Sequence, residues 1–301
     1  MLPRMSRQSI DLPHGTIHYL DTGGDGPPVV FVHGLLVDGA LWRKVVGALR
    51  PDFRCIVPDL PLGSHTTPMR PGADLTPRGV ATLLADFVRG LGLDRPVIVA
   101  NDTGGALTQI MITDHPGVAG PVVLTPCDTF DNFLPKAFRP LQYAAKVPGV
   151  FTALAQGTRA QTMRRAVFRS LAKRRIPDEV TNAWARPYLD NAGVRRDTLA
   201  FLRAIHPRYT LDAAARLGSF DQPVLLAWAP EDPFFKFDHA QRLAQIIPDA
   251  RIEAIEDSLA FVPEDQPERL AELIRGFVPR PAATPPGTHP PAPSPEGAPA
   301  T

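Results

Sequence analysis

Short apolar runs recur along the chain with little polar alternation, and helical patterns separate them. Runs of this kind are typical of strands buried on both faces, as in a parallel sheet covered by helices. Between two of the runs, Thr76 and Pro77 have the residue types of an N-cap and a first helical position, which predicts a helix from there to Leu93. The succession predicts a doubly wound α/β sheet whose ligand site lies beyond the carboxyl ends of the strands. The predicted strands are at 29–32, 54–57, 97–100, 122–125, 224–228 and 252–255.

The alternation stops between Asp128 and Ser219, where only helical segments such as 159–173 are found. We therefore predict a helical lid at residues 128–212, inserted between core segments 1–127 and 213–278 and lying over the carboxyl edge of the sheet. From Leu134 to Asp212 the sequence has 15 Lys and Arg against 5 Asp and Glu. The electrostatic field of this excess positive charge would attract an anionic substrate. Solvated Arg side chains on the outer faces of helices would give the same excess, and we favour this second interpretation.

Composition bounds the class of protein. With 44% hydrophobic and 21% charged residues in 301, the chain is neither wholly disordered, fibrous nor membrane-spanning. The first residues lack the apolar stretch of a signal peptide, and no run approaches the about 18 residues of a membrane span, so we expect a cytoplasmic protein with no membrane partner. Nothing in the sequence matches a nucleic-acid-reading motif.

The last 23 residues, 279–301, contain nine of the 35 prolines and no Leu, Ile, Val, Phe, Trp, Tyr or Met. Such a segment has little apolar surface with which to offset the entropy of ordering. We predict a disordered Pro/Ala-rich tail.

The segment after the third apolar run carries the strongest chemical signal. Residues 97–107 read VIVANDTGGAL, a buried strand turning directly into a helix, with small residues on both sides of Asp102. This is the layout of a nucleophile elbow, in which only small neighbours allow strand and helix to close around a strained nucleophile. An ordinary strand-to-helix turn with Asp as the N-cap would give the same letters.

Five motifs in order resemble the α/β-hydrolase superfamily, from about Ser9 to Phe277. They are the His33-Gly34 turn, the DLPLG segment from Asp59, the elbow, the segment 223–232 ending in Asp232, and the segment 257–267. An Asp at the elbow resembles the haloalkane dehalogenase and epoxide hydrolase branches, where a carboxylate attacks an sp³ carbon and forms an alkyl-enzyme ester.

The resemblance implies roles for further residues. The backbone N–H groups of Leu35 and Thr103 would form an oxyanion hole, and Asp232 would orient a catalytic base. We also predict His33 as a substrate- or oxyanion-binding residue, although a His at this position more often stabilises the turn than takes part in the chemistry. No metal or organic cofactor is implied, because there is no His/Cys cluster at ligand spacing.

The sequence departs from the family where the catalytic His should stand, because that position is Ala260. A methyl group cannot accept a proton, so the ester-cleaving step has no base at its usual place. Three interpretations remain open. His65 or His206 supplies the base; or Asp102 acts as a general base, or the fold performs a lyase, isomerase or similar step without ester hydrolysis; or the chain is an inert ligand-binding protein.

Within the Asp-nucleophile branch, epoxide opening is the favoured prediction. The family's halide-binding N–H donors would stand at Thr103 and Leu35, and neither side chain has one. Epoxide opening needs phenolic donors from the lid, where Tyr143, Tyr188 and Tyr209 fall. We therefore predict a hydrolase acting on a small apolar molecule through Asp102, resembling epoxide hydrolases.

Overall fold

The computed structural model describes residues 6–278, and the predicted tail at 279–301 lies outside this range. Eight strands form one sheet in the spatial order β1-β2-β4-β3-β5-β6-β7-β8. The six strands from β3 to β8 run parallel, which confirms the predicted fold class. The strands are β1 Ser6–Leu12, β2 Gly15–Asp21, β3 Pro28–Val32, β4 Arg54–Pro58, β5 Val97–Asp102, β6 Val122–Cys127, β7 Val224–Trp228 and β8 Ala250–Ala254.

The six predicted strands correspond to β3 through β8, and the central residues of β3 to β7 are buried, whereas β8 at the sheet edge is only partly buried. In β3 the four residues from Val29 to Val32 are completely buried. The hairpin formed by β1 and β2 was not predicted, because its sequence is largely polar. It adds two antiparallel strands beside β4 at the edge of the sheet.

Helices cover both faces of the sheet. On one, α1 packs against α12, and on the other α2 packs against α3. Thr76 caps α2 as predicted, its side chain accepting a hydrogen bond from the N–H of Gly79, but the helix ends at Gly90 instead of Leu93. The core helices are α1 Arg43–Leu49, α2 Pro77–Gly90, α3 Thr103–Asp114, α10 Phe237–Ile246, α11 Val262–Asp265 and α12 Pro267–Phe277.

A helical insertion separates β6 from β7. It comprises α4 Arg139–Lys146, α5 Val150–Gln156, α6 Gln161–Arg169, α7 Asp178–Asp190, α8 Ala192–Ala204 and α9 Arg208–Ala214. The predicted helix at 159–173 is α6, which is shorter at both ends. Helix α9 packs against α3 of the core and has residues on both sides of the predicted boundary at 212/213. The division of the chain at 127/128 and 212/213 stays a prediction.

None of the helices within residues 6–278 is both long and apolar enough to cross a membrane.

Candidate active site

The turn between β5 and α3 holds Asp102 in a strained backbone conformation, with φ of 53° in a residue that has a side chain. Its neighbours must be small. A Cβ on Gly104 would lie 2.6 Å from the main-chain oxygens of Val32 and His33. A Cβ on Gly105 would lie 2.5 Å from Sγ of Cys127. Steric exclusion therefore accounts for the two glycines that follow the acid.

The turn after β3 closes the other side of Asp102. A Cβ on Gly34 would lie 2.6 Å from the Cβ of Asp102, so this turn also requires glycine. The buried imidazole of His33 fixes the turn: Nδ1 donates to the carbonyl of Gly34 at 2.8 Å, and Nε2 accepts from the N–H of Leu60 at 2.9 Å. Both ring nitrogens are thus engaged by the backbone, and His33 does not line the cavity described below. These contacts support a structural role instead of contact with substrate.

Leu35 and Thr103 lie beside Asp102 in the wall of the cavity. Burial of the Asp102 carboxyl, assisted by the nearby Asp232, raises its pKa to about 7. Hydrogen bonds from the backbone N–H groups of Thr103 and Leu35 act in the opposite direction on this pKa. The two N–H groups assigned to an oxyanion hole are therefore close to the Asp102 carboxyl, whose Oδ1 also lies 3.5 Å from Oγ1 of Thr103.

Asp232 follows β7 and has one oxygen without a partner. Its Oδ1 accepts hydrogen bonds from the N–H of Phe234 at 2.7 Å and of Phe235 at 3.2 Å. Its Oδ2 is buried and finds no donor within residues 6–278. Burial raises the pKa of Asp232 to about 6. A carboxylate with a raised pKa and one oxygen without a hydrogen-bond partner is suited to accept a proton.

Ala260 lies in the loop after β8 and is fully buried. Its carbonyl accepts a 2.8 Å hydrogen bond from Nδ2 of Asn101, the residue before Asp102. The next residue, Phe261, donates from its N–H to the carbonyl of Leu171 in the insertion at 2.8 Å. The loop is therefore fixed between elbow and insertion, and a methyl group stands where the family resemblance places a base.

The two histidines considered as replacements lie outside the cavity wall. His65 is buried, its Nε2 is 3.3 Å from Oδ2 of Asp197 in α8, and its Nδ1 accepts from the N–H of Gly63. His206 is exposed and accepts from the N–H of Arg208 at 3.0 Å. His65 joins its loop to α8 of the insertion and His206 makes a local contact in a turn, so the geometry supports neither as the base.

A second buried carboxyl, not singled out from the sequence, stands next to the elbow. Asp128 directly follows β6, and its Oδ2 accepts a 3.0 Å hydrogen bond from Oγ1 of Thr103. Its Oδ1 has no partner within residues 6–278. Burial and the proximity of Asp102 raise the pKa of Asp128 well above its usual value. The signal was its place just past the strand beside β5, where carboxyl ends of parallel strands meet.

An apolar cavity of about 270 Å³ lies between the sheet edge and the insertion, and Asp102 forms part of its wall. Of the three tyrosines considered as donors, only Tyr188 lines it, with Oη 3.2 Å from Oγ1 of Thr152. Tyr143 is exposed and Tyr209 packs against Arg208. The lining side chains are mainly aliphatic and aromatic, including Leu134, Phe138, Leu141, Phe151, Phe168, Leu171, Trp184 and Phe235.

The cavity opens to solvent between α5 and α6. Leu154, Met163 and Val167 line it and are also 59%, 50% and 40% exposed, respectively. Arg164 of α6 is the one basic side chain in the cavity wall among the described residues. Residues 6–278 contain no group of three His, Cys, Asp or Glu side chains placed to hold a metal ion.

The family model for the alpha/beta hydrolase fold matches residues 27–267, most of the chain. The chain belongs to the α/β-hydrolase family. This α/β-hydrolase is 29% identical over 285 residues to haloalkane dehalogenase 2 of Mycobacterium tuberculosis, covering 88% of this chain and 92% of the relative. It is also 29% identical over 293 residues to the cis-3-alkyl-4-alkyloxetan-2-one decarboxylase of Xanthomonas campestris, covering 89% and 94%.

Among solved structures, the haloalkane dehalogenase DbeA from Bradyrhizobium elkani superposes with a TM-score of 0.76 at 21% identity, over 91% of this chain and 97% of that one. At this identity the likeness supports the fold alone. Together with the family match, the sequence comparisons make this chain a hydrolase of the α/β-hydrolase superfamily that is similar in sequence to a haloalkane dehalogenase.

Proposed function

We propose that this α/β-hydrolase forms a covalent ester between Asp102 and an sp³ carbon of a small, largely apolar molecule, and that an epoxide is the substrate class. The observation that carries the proposal is the elbow, where a strained backbone presents one carboxyl to an otherwise apolar cavity of about 270 Å³. A carboxylate in such a site is a nucleophile with little competing hydration.

Epoxide opening suits the donors available in the wall. When Asp102 attacks the ring carbon, the C–O bond breaks and the departing alkoxide needs a proton. Tyr188 is the phenol that lines the cavity and supplies that proton. Halide departure would instead need N–H donors beside the nucleophile, and the side chains of Leu35 and Thr103 have none.

Ester cleavage requires water and a base. In this proposal Asp232, which does not line the cavity but lies near enough to Asp102 to raise the pKa of that carboxyl, uses its unpartnered Oδ2 to accept the proton of a water that attacks the Asp102 carbonyl carbon. The backbone N–H groups of Leu35 and Thr103 then stabilise the negative charge that develops on the carbonyl oxygen. Since a carboxylate is a weaker base than imidazole at neutral pH, we expect this step to be slow.

Ala260 favours a second candidate, the non-hydrolytic opening of a dialkyl oxetan-2-one, the compound class in the name of the Xanthomonas relative. Asp102 would attack the alkyl-bearing sp³ ring carbon that is bonded to the ring oxygen. The bond between this carbon and the ring oxygen breaks, so the lactone group becomes a carboxylate on the substrate and the attacked carbon forms an ester with Asp102. Loss of CO₂ then forms the alkene as the electrons of the C–C bond expel Asp102. No water is consumed and no proton moves, so a base at position 260 is unnecessary.

The deciding experiment incubates the protein in H₂¹⁸O with apolar epoxides and with a dialkyl oxetan-2-one, and records intact mass and products. An Asp102 adduct that decays with ¹⁸O entering the Asp102 carboxyl supports epoxide hydrolysis. An alkene and CO₂ with an unlabelled enzyme support decarboxylation. Ligand binding with neither adduct nor product would contradict both and leave the ligand-binding alternative.

A further inference from the structure

Arg164 of α6 is a buried cation with an unused hydrogen-bonding edge. It is 7% exposed and forms part of the cavity wall. Its Nη1 donates to the carbonyls of Thr158 and Arg159, at 2.7 and 2.8 Å. Its Nε is buried without a partner, and within residues 6–278 its Nη2 has no hydrogen bond either. The Nε–Nη2 edge of the guanidinium is therefore unoccupied.

No carboxylate of residues 6–278 forms an ion pair with Arg164. Neighbouring arginines are paired: Arg159 with Asp190, and Arg165 with Asp178. Burying a charge without a counter-charge is unfavourable, and two backbone carbonyls compensate it only in part. Arg164 thus differs from the solvated arginines that account for most of the positive charge of the insertion.

The uncompensated charge of Arg164 lies in the wall of the cavity where the ligand would bind. Arg164 and Asp102 line the same cavity, whose other walls are almost wholly apolar. An apolar chain would fill the cavity, while a negatively charged group on that chain would pair with the guanidinium, first at Nη2 and, after a rotation of the side chain, at the buried Nε. The Nε–Nη2 edge offers two parallel N–H donors, the arrangement that binds a carboxylate through both oxygens.

We propose that Arg164 is a specificity-determining residue that binds a carboxylate on the substrate, so that the substrate class is an apolar chain bearing a reactive carbon and a carboxylate. As a statement about substrate, this inference rests on the proposed function at Asp102. As a statement about binding, it applies whether or not Asp102 reacts.

Binding of unreactive probes tests the inference separately from the chemistry. Octanoate and 1-octanol share an apolar chain and differ in the carboxylate, and calorimetry at pH 7 compares their affinities. We expect the wild-type protein to bind octanoate at least about tenfold more tightly than octanol. Arg164→Gln should remove this preference, and Arg164→Lys, which keeps the charge without the two-donor edge, should retain part of it.

Arg169→Gln is the matched control, because it removes one positive charge from the same helix at an exposed position outside the cavity wall. It should leave the octanoate preference unchanged. If Arg169→Gln and Arg164→Gln reduce octanoate affinity equally, the effect is one of general charge and the inference is wrong. Equal affinity of the wild-type protein for octanoate and octanol would also overturn it, without any variant having to fold.

The two proposals fail in different ways. Octanoate preference without an adduct on Asp102 from any epoxide or oxetan-2-one would contradict the proposed function and leave Arg164 as a carboxylate site. Adducts from neutral epoxides without octanoate preference would support the chemistry and contradict the Arg164 inference. The Asp102→Asn variant should bind octanoate at least as well as the wild-type protein, since it keeps Arg164 and removes a nearby acid.

Discussion

Nδ2 of Asn101 donates a 2.8 Å hydrogen bond to the carbonyl of Ala260, joining the residue before the nucleophile to the loop after β8. The same amide group donates to Oγ1 of Thr125 at 2.8 Å, so the elbow, β6 and this loop are held as one unit. Position 260 is therefore fixed beside the elbow. A histidine placed there would enter a loop whose backbone is already set.

Ala260→His should shorten the lifetime of an Asp102 ester. A positioned imidazole base contributes about 10²- to 10⁴-fold in related reactions, and we expect at least about tenfold here because the buried site must also accommodate the ring. The decay of the adduct, followed by intact mass after removal of excess epoxide, measures the effect. Ala260→Phe adds similar volume without a base and should not accelerate decay. An unchanged lifetime in a folded Ala260→His protein would count against the placement of the missing base at position 260.

Adduct formation should depend on pH through the ionisation of Asp102, whose pKa burial raises to about 7. Only the carboxylate is nucleophilic, so the rate should fall about tenfold for each pH unit below 7 and level off above it. Single-turnover alkylation measured from pH 5 to 9 gives the profile. A flat profile down to pH 5 would show that Asp102 remains ionised there and would contradict the effect of its burial.

Asp102→Asn should stabilise the fold at high pH. The carboxyl has a pKa of about 7 when folded and an ordinary pKa of 3.8 when unfolded, so between these values the folded state binds more protons than the unfolded state. Wild-type stability from this group is thus lost as pH rises from about 4 to 7. The variant should gain up to about 4 kcal/mol at pH 8 and little at pH 4, measured by urea unfolding. The exposed Asp94→Asn is the control and should show no comparable gain.

Patterns that depend on burial were accurately predicted from the sequence. Strands β3 to β7 are buried on both faces, so they appear as mainly apolar runs, and the helical insertion is the gap between two of them. The β1–β2 hairpin was not predicted, because strands at a sheet edge need no such run and Ser6–Leu12 is largely polar. Structure can be predicted from local sequence only where packing restricts which residue types fit.

The site divides in the same way. Small residues around Asp102 marked the elbow, because a Cβ on Gly104 or Gly105 would meet neighbouring atoms. Asp128 was marked only by its place directly after β6, and Arg164 had no signal, since each is an ordinary acid or base in the sequence. Their importance arises from tertiary burial, which leaves Oδ1 of Asp128 and Nε of Arg164 without partners among the described residues.

Gly34→Ala should impair the nucleophile more than the fold. The added Cβ would lie 2.6 Å from the Cβ of Asp102, so the carboxyl must shift, and we expect alkylation to slow by at least about tenfold. Gly47→Ala is the matched control, because nothing lies within 4 Å of its added Cβ in α1. That variant should alkylate normally and gain about 0.5 to 1 kcal/mol of stability. Normal alkylation by Gly34→Ala would show that the turn after β3 does not constrain Asp102.

Tyr188→Phe should slow epoxide opening by about 10²-fold, because the phenol that lines the cavity would no longer protonate the departing alkoxide. Tyr143→Phe, which changes an exposed phenol of the same insertion, should leave the rate unaltered. Since Tyr188 is buried against Phe151, with its ring centroid 5.3 Å away, Phe preserves the packing and the comparison isolates the hydroxyl. Rates of adduct formation with a single epoxide decide the matter. If the oxetan-2-one route operates instead, Tyr188→Phe should leave its rate nearly unchanged, because the ring oxygen departs as part of a carboxylate that needs no proton.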